Sequence, residues 1–330
     1  MKKQTIIIGA GLMVFVILIF GAGIGAYTGY LGLSWDTGTV KTDDPALAKQ
    51  LQSSKQRAMD DGPSAIDILL IGTNATVSAS GSAASTGFPA DMIMVVHVPA
   101  DRSGLQLVSI PKDTSVRVPA HGHDTIESAV SDGGLSMAVR AVSELLTVDV
   151  DHVAVIDLAA LSDLTDLVGG VEVISSTAFE SGGHDFNVGS NTLDGAAALA
   201  FVQEHTAFPG GELQRIRNQQ ELIRAVGSKM VSEDYAFNPL KMSELVRVLS
   251  PFVTVDSELN ASTLVTLWSQ LEGLSEDDLD FITAPTANPV VSDNDGARLH
   301  ADRGGLEKLQ QAIADDTVSD YAFEAEDRHR

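Results

Sequence analysis

Asp91 stands directly before an apolar run, Met92-Ile-Met-Val-Val96, and a carboxylate at the mouth of a strand is an oxygen donor suited to a hard divalent cation. Following Pro89, the same residue also fits as a turn cap, and residue type alone leaves both readings open. A second polar group, Ser109-Ile-Pro-Lys-Asp-Thr114, ends another apolar run. Pro111 closes that strand and puts Lys112 and Asp113 in a loop at the sheet's edge. Lys112 can neutralise a phosphate and Asp113 can ligate or orient a metal; the competing reading is a solvated ion pair. The third group is Glu212-Leu-Gln-Arg-Ile-Arg-Asn-Gln-Gln220. Arg215 and Gln219 lie four apart and share a helix face. Arg215, Arg217 and Arg224 form one of the chain's few basic concentrations, and arginine near a helix start is poorly placed for the macrodipole. An anionic ligand would explain that placement, and solvent-facing helix charge is the rival explanation. His121 and His123 have no third partner spaced for zinc, and no nucleophile elbow, P-loop or dinucleotide glycine pattern is present.

Strands and helices alternate along the chain and predict how these groups are placed. Strands are expected at 67–72, 92–98 and 105–110, the last two joined by a turn over 99–104 that carries Pro, Asp and Gly. A stretch of small residues at 73–87 reads as a loop. A helix is expected after Gly133-Gly134, ending near Leu146, then a strand at 152–158 and a short helix at 159–168 closed by Gly169-Gly170. A strand at 171–174 precedes helices at 193–203 and 212–231. Further helices are expected near 238–250, 260–272 and 303–314, with a strand near 279–284. This interleaving predicts an α/β class with helices on the faces of one sheet. The acidic tail from about Asp315 is expected to lack ordered structure.

The chain of 330 residues carries 45 acidic and 21 basic residues, a net charge of −24 that opposes binding to nucleic acid phosphates. Its 44% hydrophobic content supports a sizeable core, and the absence of cysteine rules out thiol chemistry and disulfides. Lys2 and Lys3 precede an uncharged run over 5–33, long enough to span a bilayer core of about 20 helical residues. The basic pair places residues 1–4 in the cytoplasm and everything after the run outside it. A cleaved signal peptide is the alternative, but its apolar core is typically about 7–15 residues. Residues 34–63 are polar and read as a stalk.

In this order the segments are similar to the LytR-CpsA-Psr domain. The resemblance rests on DILLIG at 67–72, ADMIMVVHV at 90–98, LQLVSIPKDTSVRVP at 105–119 and the Gly133-Gly134 helix. It continues through DHVAVIDLAALSDLTDLVGGVEV at 151–173, NTLDGAAALAFVQEH at 191–205 and ELQRIRNQQELIRAV at 212–226. It covers residues 64–232, leaving 233–314 as an extension of that domain or a small additional one, and 315–330 as the tail. The resemblance implies an α-β-α sandwich with a central mixed sheet behind one N-terminal transmembrane helix. It also implies a membrane-anchored phosphotransferase of cell-wall biogenesis, moving a glycopolymer from a polyprenyl-pyrophosphate carrier to peptidoglycan with Mg2+. Carried over by position, Asp91, Lys112 and Asp113 fall at catalytic positions, and Asp91 with Asn74 at the metal site. Gln203, His205, Arg215, Arg217 and Gln219 fall at substrate-binding positions.

The chain departs from the family pattern at several of these places. Asn74 stands for an aspartate, Lys112 for an arginine, Gln203 and His205 for two arginines, and Asn218 for another arginine. Glu212 replaces the aspartate that opens the last motif. Lysine keeps charge but loses bidentate binding, glutamine keeps donors without charge, and histidine is charged only in part near neutral pH. A catalytically impaired relative acting as a lipid- or partner-binding scaffold in the envelope is therefore the second reading. Transcriptional control, which the family's historical "attenuator" name suggests, is opposed by topology and by net charge.

Overall fold

The computed structural model describes residues 25–42, 44–51, 64–75, 87–118, 122–208, 211–233, 235, 238–271, 274, 278–287, 290–292 and 296–327. Residues 5–24 of the anchor expected over 5–33, residues 76–86 of the expected loop and residues 52–63 of the expected stalk lie outside the described residues. No helix among the described residues is long and apolar enough to cross a membrane.

Across the end of the expected anchor and the start of the expected stalk, the chain forms helix α1 (Gly25–Gly38), then strand β1 (Val40–Lys41) and a helical stretch at 45–51. Apolar residues scattered among the polar ones explain the difference. Trp35 is fully buried and its indole N–H donates to the Leu259 carbonyl at 3.4 Å, while Leu47 and Leu51 are 1% and 3% exposed.

β2 (Ile66–Thr73) and β3 (Met92–Val98) are near-continuous runs of Ile, Leu, Met and Val, buried over almost all their length, as strands covered on both faces must be. β3 turns back antiparallel into β4 (Leu105–Ser109) through the expected turn, where Arg102 adopts a left-handed φ of 59°. Next come β5 (Ser115–Val118), β6 (Gly122–Thr125) and α2 (Ile126–Leu146). α2 begins eight residues before Gly134, because Thr125 caps it by accepting the Ser128 N–H at 3.1 Å. The glycine pair read as a helix start is a kink inside the helix, with Gly134 at φ 63°.

After β7 (Val150–Asp157) the chain forms α3 (Ala159–Leu167), β8 (Val171–Ser175), the hairpin β9 (Phe179–Ser181) and β10 (His184–Phe186), and β11 (Gly189–Leu193). Helices α4 (Gly195–Gln203), α5 (Gly211–Ser232) and α6 (Pro239–Leu249) follow, then β12 (Val253–Val255) and α7 (Ala261–Gln270). The chain closes with β13 (Leu279–Thr283), β14 (Val290–Ser292), β15 (Gly296–Arg298), α8 (Arg303–Ala314) and α9 (Val318–Asp327).

The architecture is a mixed α/β fold around a seven-stranded sheet of order β1-β12-β7-β2-β3-β4-β13. The contacts divide the chain into two compact units. One, residues 41–155, 254–257 and 280–330, is built on the sheet. In its core Leu69, Ile71, Val95 and Val108 from the strands meet Val130, Val139 and Val142 of α2 and Leu309 of α8. The other, residues up to 40 with 156–253 and 258–279, packs α3 to α7 with α1 and the short strands β8 to β11.

Residues 315–327 of the acidic tail are ordered, contrary to the expectation. Val318 is 2% exposed, Tyr321 and Ala322 pack against the sheet unit's core, and this i, i+3, i+4 spacing folds α9. Asp316, at φ 53°, turns the chain into that helix and accepts the Ala100 N–H at 3.0 Å. Its other carboxylate oxygen lies 3.1 Å from Nε2 of His97, whose Nδ1 lies 2.8 Å from Asp67.

Candidate functional site

Residues 112–114 and 125–127 are distant in sequence, and the β5–β6 hairpin brings them together by pairing Ser115 with Thr125. Two backbone bonds then fasten the start of α2 to the turn. Ile126 N–H donates to the Thr114 carbonyl at 2.9 Å and Glu127 N–H to the Lys112 carbonyl at 3.1 Å. Leu299 N–H donates to the Asp113 carbonyl at 2.9 Å, so the segment after β15 braces the same turn. On the other side Asp91 N–H donates to the Gly72 carbonyl at 2.8 Å, which sets Asp91 beside Asn74 at the end of β2.

The result is a polar mouth at the ends of β2 and β3. Asp91 Oδ2 accepts from Asn74 Nδ2 at 2.7 Å and from the Asn74 backbone N–H at 3.3 Å. Its Oδ1 lies 3.9 Å from Lys112 Nζ, and both side chains are about a quarter exposed. The expected catalytic and metal residues Asn74, Asp91 and Lys112 are thus in contact, with Asp113 on the same turn.

Glu127 joins them and escaped the sequence reading. Burial, the largest influence, pushes its carboxyl above the ordinary value; Lys112 pulls the other way, and Asp132, Asp113 and Asp91 push it up again. The signal was present, since Glu127 lies in the first turn after the Thr125 cap, but only once the helix is started there rather than at Gly134. Among the described residues no three His, Asp or Glu side chains are grouped to hold a metal ion. The His123 carbonyl accepts from Arg298 at 2.8 Å, and His121 lies outside the described residues.

The other expected binding residues belong to the second unit. Arg215 and Gln219 share a face of α5 as expected, but that face is inward: they are 2% and 4% exposed. Arg215 pairs with Glu212 one turn earlier on the helix. The side-chain amides of Asn218 and Gln219 donate to the Phe201 and Val202 carbonyls at 3.1 and 3.5 Å, satisfying carbonyls in the last turn of α4 that the helix itself leaves open. They therefore fix the segment carrying Gln203 and His205. Below it, Phe179 stacks on Phe186 at 4.5 Å and meets Phe208 edge-on at 4.8 Å, which seats α4 through Phe201. His205 and Arg217 are exposed, with Arg217 donating to Gln214 at 3.1 Å. Arg224 stands apart from this group, paired with Glu221 at 3.1 Å.

Comparison with known proteins places the chain. A family model described as the LytR_cpsA_psr family matches residues 32–314. The cell wall biosynthesis protein LcpA of Corynebacterium glutamicum is 29% identical over 288 residues, covering 74% of this chain but 55% of that protein, so the chain spans little more than half of that relative. The polyisoprenyl-teichoic acid–peptidoglycan teichoic acid transferase TagU of Bacillus cereus is 29% identical over 233 residues, covering 70% of this chain and 73% of that one. Among solved structures, protein gbs0355 of Streptococcus agalactiae superposes with a TM-score of 0.66 at 18% identity, over 79% of this chain and 90% of that one. B. subtilis TagV superposes with a TM-score of 0.61 at 20% identity, over 78% and 98%. At such identities these two matches establish the fold.

Proposed function

The chain belongs to the LytR-CpsA-Psr family, and on that premise we propose that it transfers a glycopolymer from a polyprenyl-pyrophosphate carrier to peptidoglycan on the outer side of the cytoplasmic membrane. The observation that carries this reading is the contact of Asp91 with both Asn74 and Lys112 at a strand mouth, with Asp113 and Glu127 beside it. The cell-wall role of LcpA and the teichoic acid transfer of TagU support the substrate class, as does the structure of TagT bound to LI-WTA.

In this reading a peptidoglycan hydroxyl oxygen attacks the phosphorus that bears the glycopolymer. The bond from that phosphorus to the bridging oxygen breaks, and polyprenyl phosphate leaves with the electron pair. Charge accumulates on the phosphate oxygens, and Lys112 is the ammonium placed to stabilise it. Asp91 holds Lys112 by its Oδ1 while Asn74 holds Asp91 by its Oδ2. Asp113 and Glu127 are the neighbouring carboxylates that can accept the hydroxyl proton. In the helical unit, Arg217 and His205 are the exposed groups suited to an anionic substrate, since Arg215 is committed to Glu212. In this reading the uncharged run that starts at residue 5 anchors the chain ahead of α1, which places its substrates at the membrane surface.

One observation favours the second reading, a scaffold without turnover: Asn218, which replaces a family arginine, is 2% exposed and committed to the Phe201 carbonyl. The two readings separate on polyprenyl phosphate release by the full chain in detergent, measured beside Asp91→Ala. Release that the substitution abolishes supports transfer, and lipid binding without release supports the scaffold.

A further inference from the structure

We propose that the reaction centre of this chain needs no resident divalent cation, and that Lys112 supplies the positive charge such an ion would bring. The inference rests on the transferase reading for its chemistry, and its test stands apart from activity.

Asp91 offers two oxygens at the strand mouth, and each faces a group of the protein. A carboxylate that ligates Mg2+ must offer lone pairs to the metal, and a second carboxylate held against it would add negative charge that only a cation or a proton can relieve. Position 74, where the family resemblance implies an aspartate, carries an amide instead. Asn74 Nδ2 donates to Asp91 Oδ2 at 2.7 Å, and the Asn74 backbone N–H donates to the same oxygen at 3.3 Å. The opposite amide orientation would set its carbonyl oxygen against a carboxylate oxygen at that distance, so the donating orientation is the stable one. Asp91 Oδ1 faces Lys112 Nζ at 3.9 Å. Both oxygens are thus served by groups of the protein, and the pair that would require a cation has become a hydrogen-bonded pair carrying one negative charge.

Lys112 then has the attributes the missing charge requires. An ammonium is a compact point charge, closer in character to a metal ion than the planar guanidinium that the resemblance places there. Its backbone carbonyl is tied to Glu127 N–H at 3.1 Å, which fixes the turn against α2. The carboxylates around it do not form an alternative metal site: no three of the His, Asp and Glu side chains among the described residues are grouped to hold an ion. The substitution at 74 therefore removes a ligand charge, while Lys112 keeps at its position the positive charge of the arginine that the resemblance places there.

The test is Mn2+ binding to the full chain in detergent, followed by the loss of the free Mn2+ paramagnetic resonance signal. Wild type should leave the signal unchanged, and Asn74→Asp should restore a site at least about 10–100-fold tighter. A single Mn2+ bound by wild type and lost in Asp91→Ala would overturn the inference, as would an Asn74→Asp variant that binds no better than wild type. A parallel assay follows polyprenyl phosphate release with and without a chelator. An unchanged rate agrees with the inference, and a drop of tenfold or more contradicts it. If wild type releases nothing under any condition, the transferase reading falls while the Mn2+ measurement still decides this one.

Discussion

Replacing Asp67 with asparagine should destabilise the protein more at low pH than at high pH. His97 is 1% exposed and each ring nitrogen faces a carboxylate, Nδ1 to Asp67 at 2.8 Å and Nε2 to Asp316 at 3.1 Å. A neutral imidazole has one N–H and serves one acceptor; serving both requires the imidazolium. Burial, the largest influence, pulls the pKa of His97 down, but the hydrogen bonds and charges of Asp67 and Asp316 together outweigh it and leave the value above its usual 6.5. Arg102, on the turn after β3, adds positive charge beside Asp316. A folded value raised above the unfolded one gives stability that is complete below the unfolded value and is lost as pH rises through the folded one.

Depriving a buried ion pair of one partner costs about 3–5 kcal/mol. Asp316 remains and its side chain is 31% exposed, so the low end applies, about 3 kcal/mol near pH 6. At a pH above the folded value the neutral ring needs a single acceptor, and the loss should shrink to about 1 kcal/mol, an ordinary hydrogen bond. Guanidinium unfolding of wild type and Asp67→Asn at both pH values measures this. Taking the difference between them removes the background set by a net charge of −24. A penalty that is the same at both pH values, or larger at high pH, would refute a charged His97.

Trp35→Ala should cost about 3–5 kcal/mol, because a fully buried indole leaves a cavity in the helical unit; a thermal unfolding midpoint equal to wild type would contradict that burial. Gly87→Ala should destabilise strongly, since at φ 89° its new Cβ would fall on the Ser131 carbonyl oxygen; a melting temperature equal to wild type would contradict the packing of this loop on α2. Asp91→Ala should leave the melting temperature near that of wild type and reduce transfer about 10²-fold or more.

The central strands were legible because β2 and β3 are apolar runs broken by one ionisable residue each, Asp67 and His97, and a run of that kind leaves few alternatives. The start of α2 was not, because a Gly-Gly pair resembles a boundary and only the Thr125 cap reveals that the helix has already begun. Trp35, Leu47 and the α9 apolar face were diluted among charges, and their burial depends on surfaces that local pattern cannot show. At the site, helical spacing put Arg215 and Gln219 on one face but could not say whether that face pointed inward. Loop composition likewise marked Lys112 and Asp113 as polar residues without showing that a hairpin would bring Glu127 to them.

The most direct test of the account is release of polyprenyl phosphate when the full chain in detergent is given a polyprenyl-pyrophosphate-linked glycopolymer and peptidoglycan. Release should require the peptidoglycan acceptor and disappear in Asp91→Ala. Binding of the lipid substrate without release, in a chain whose unfolding is normal, would contradict it.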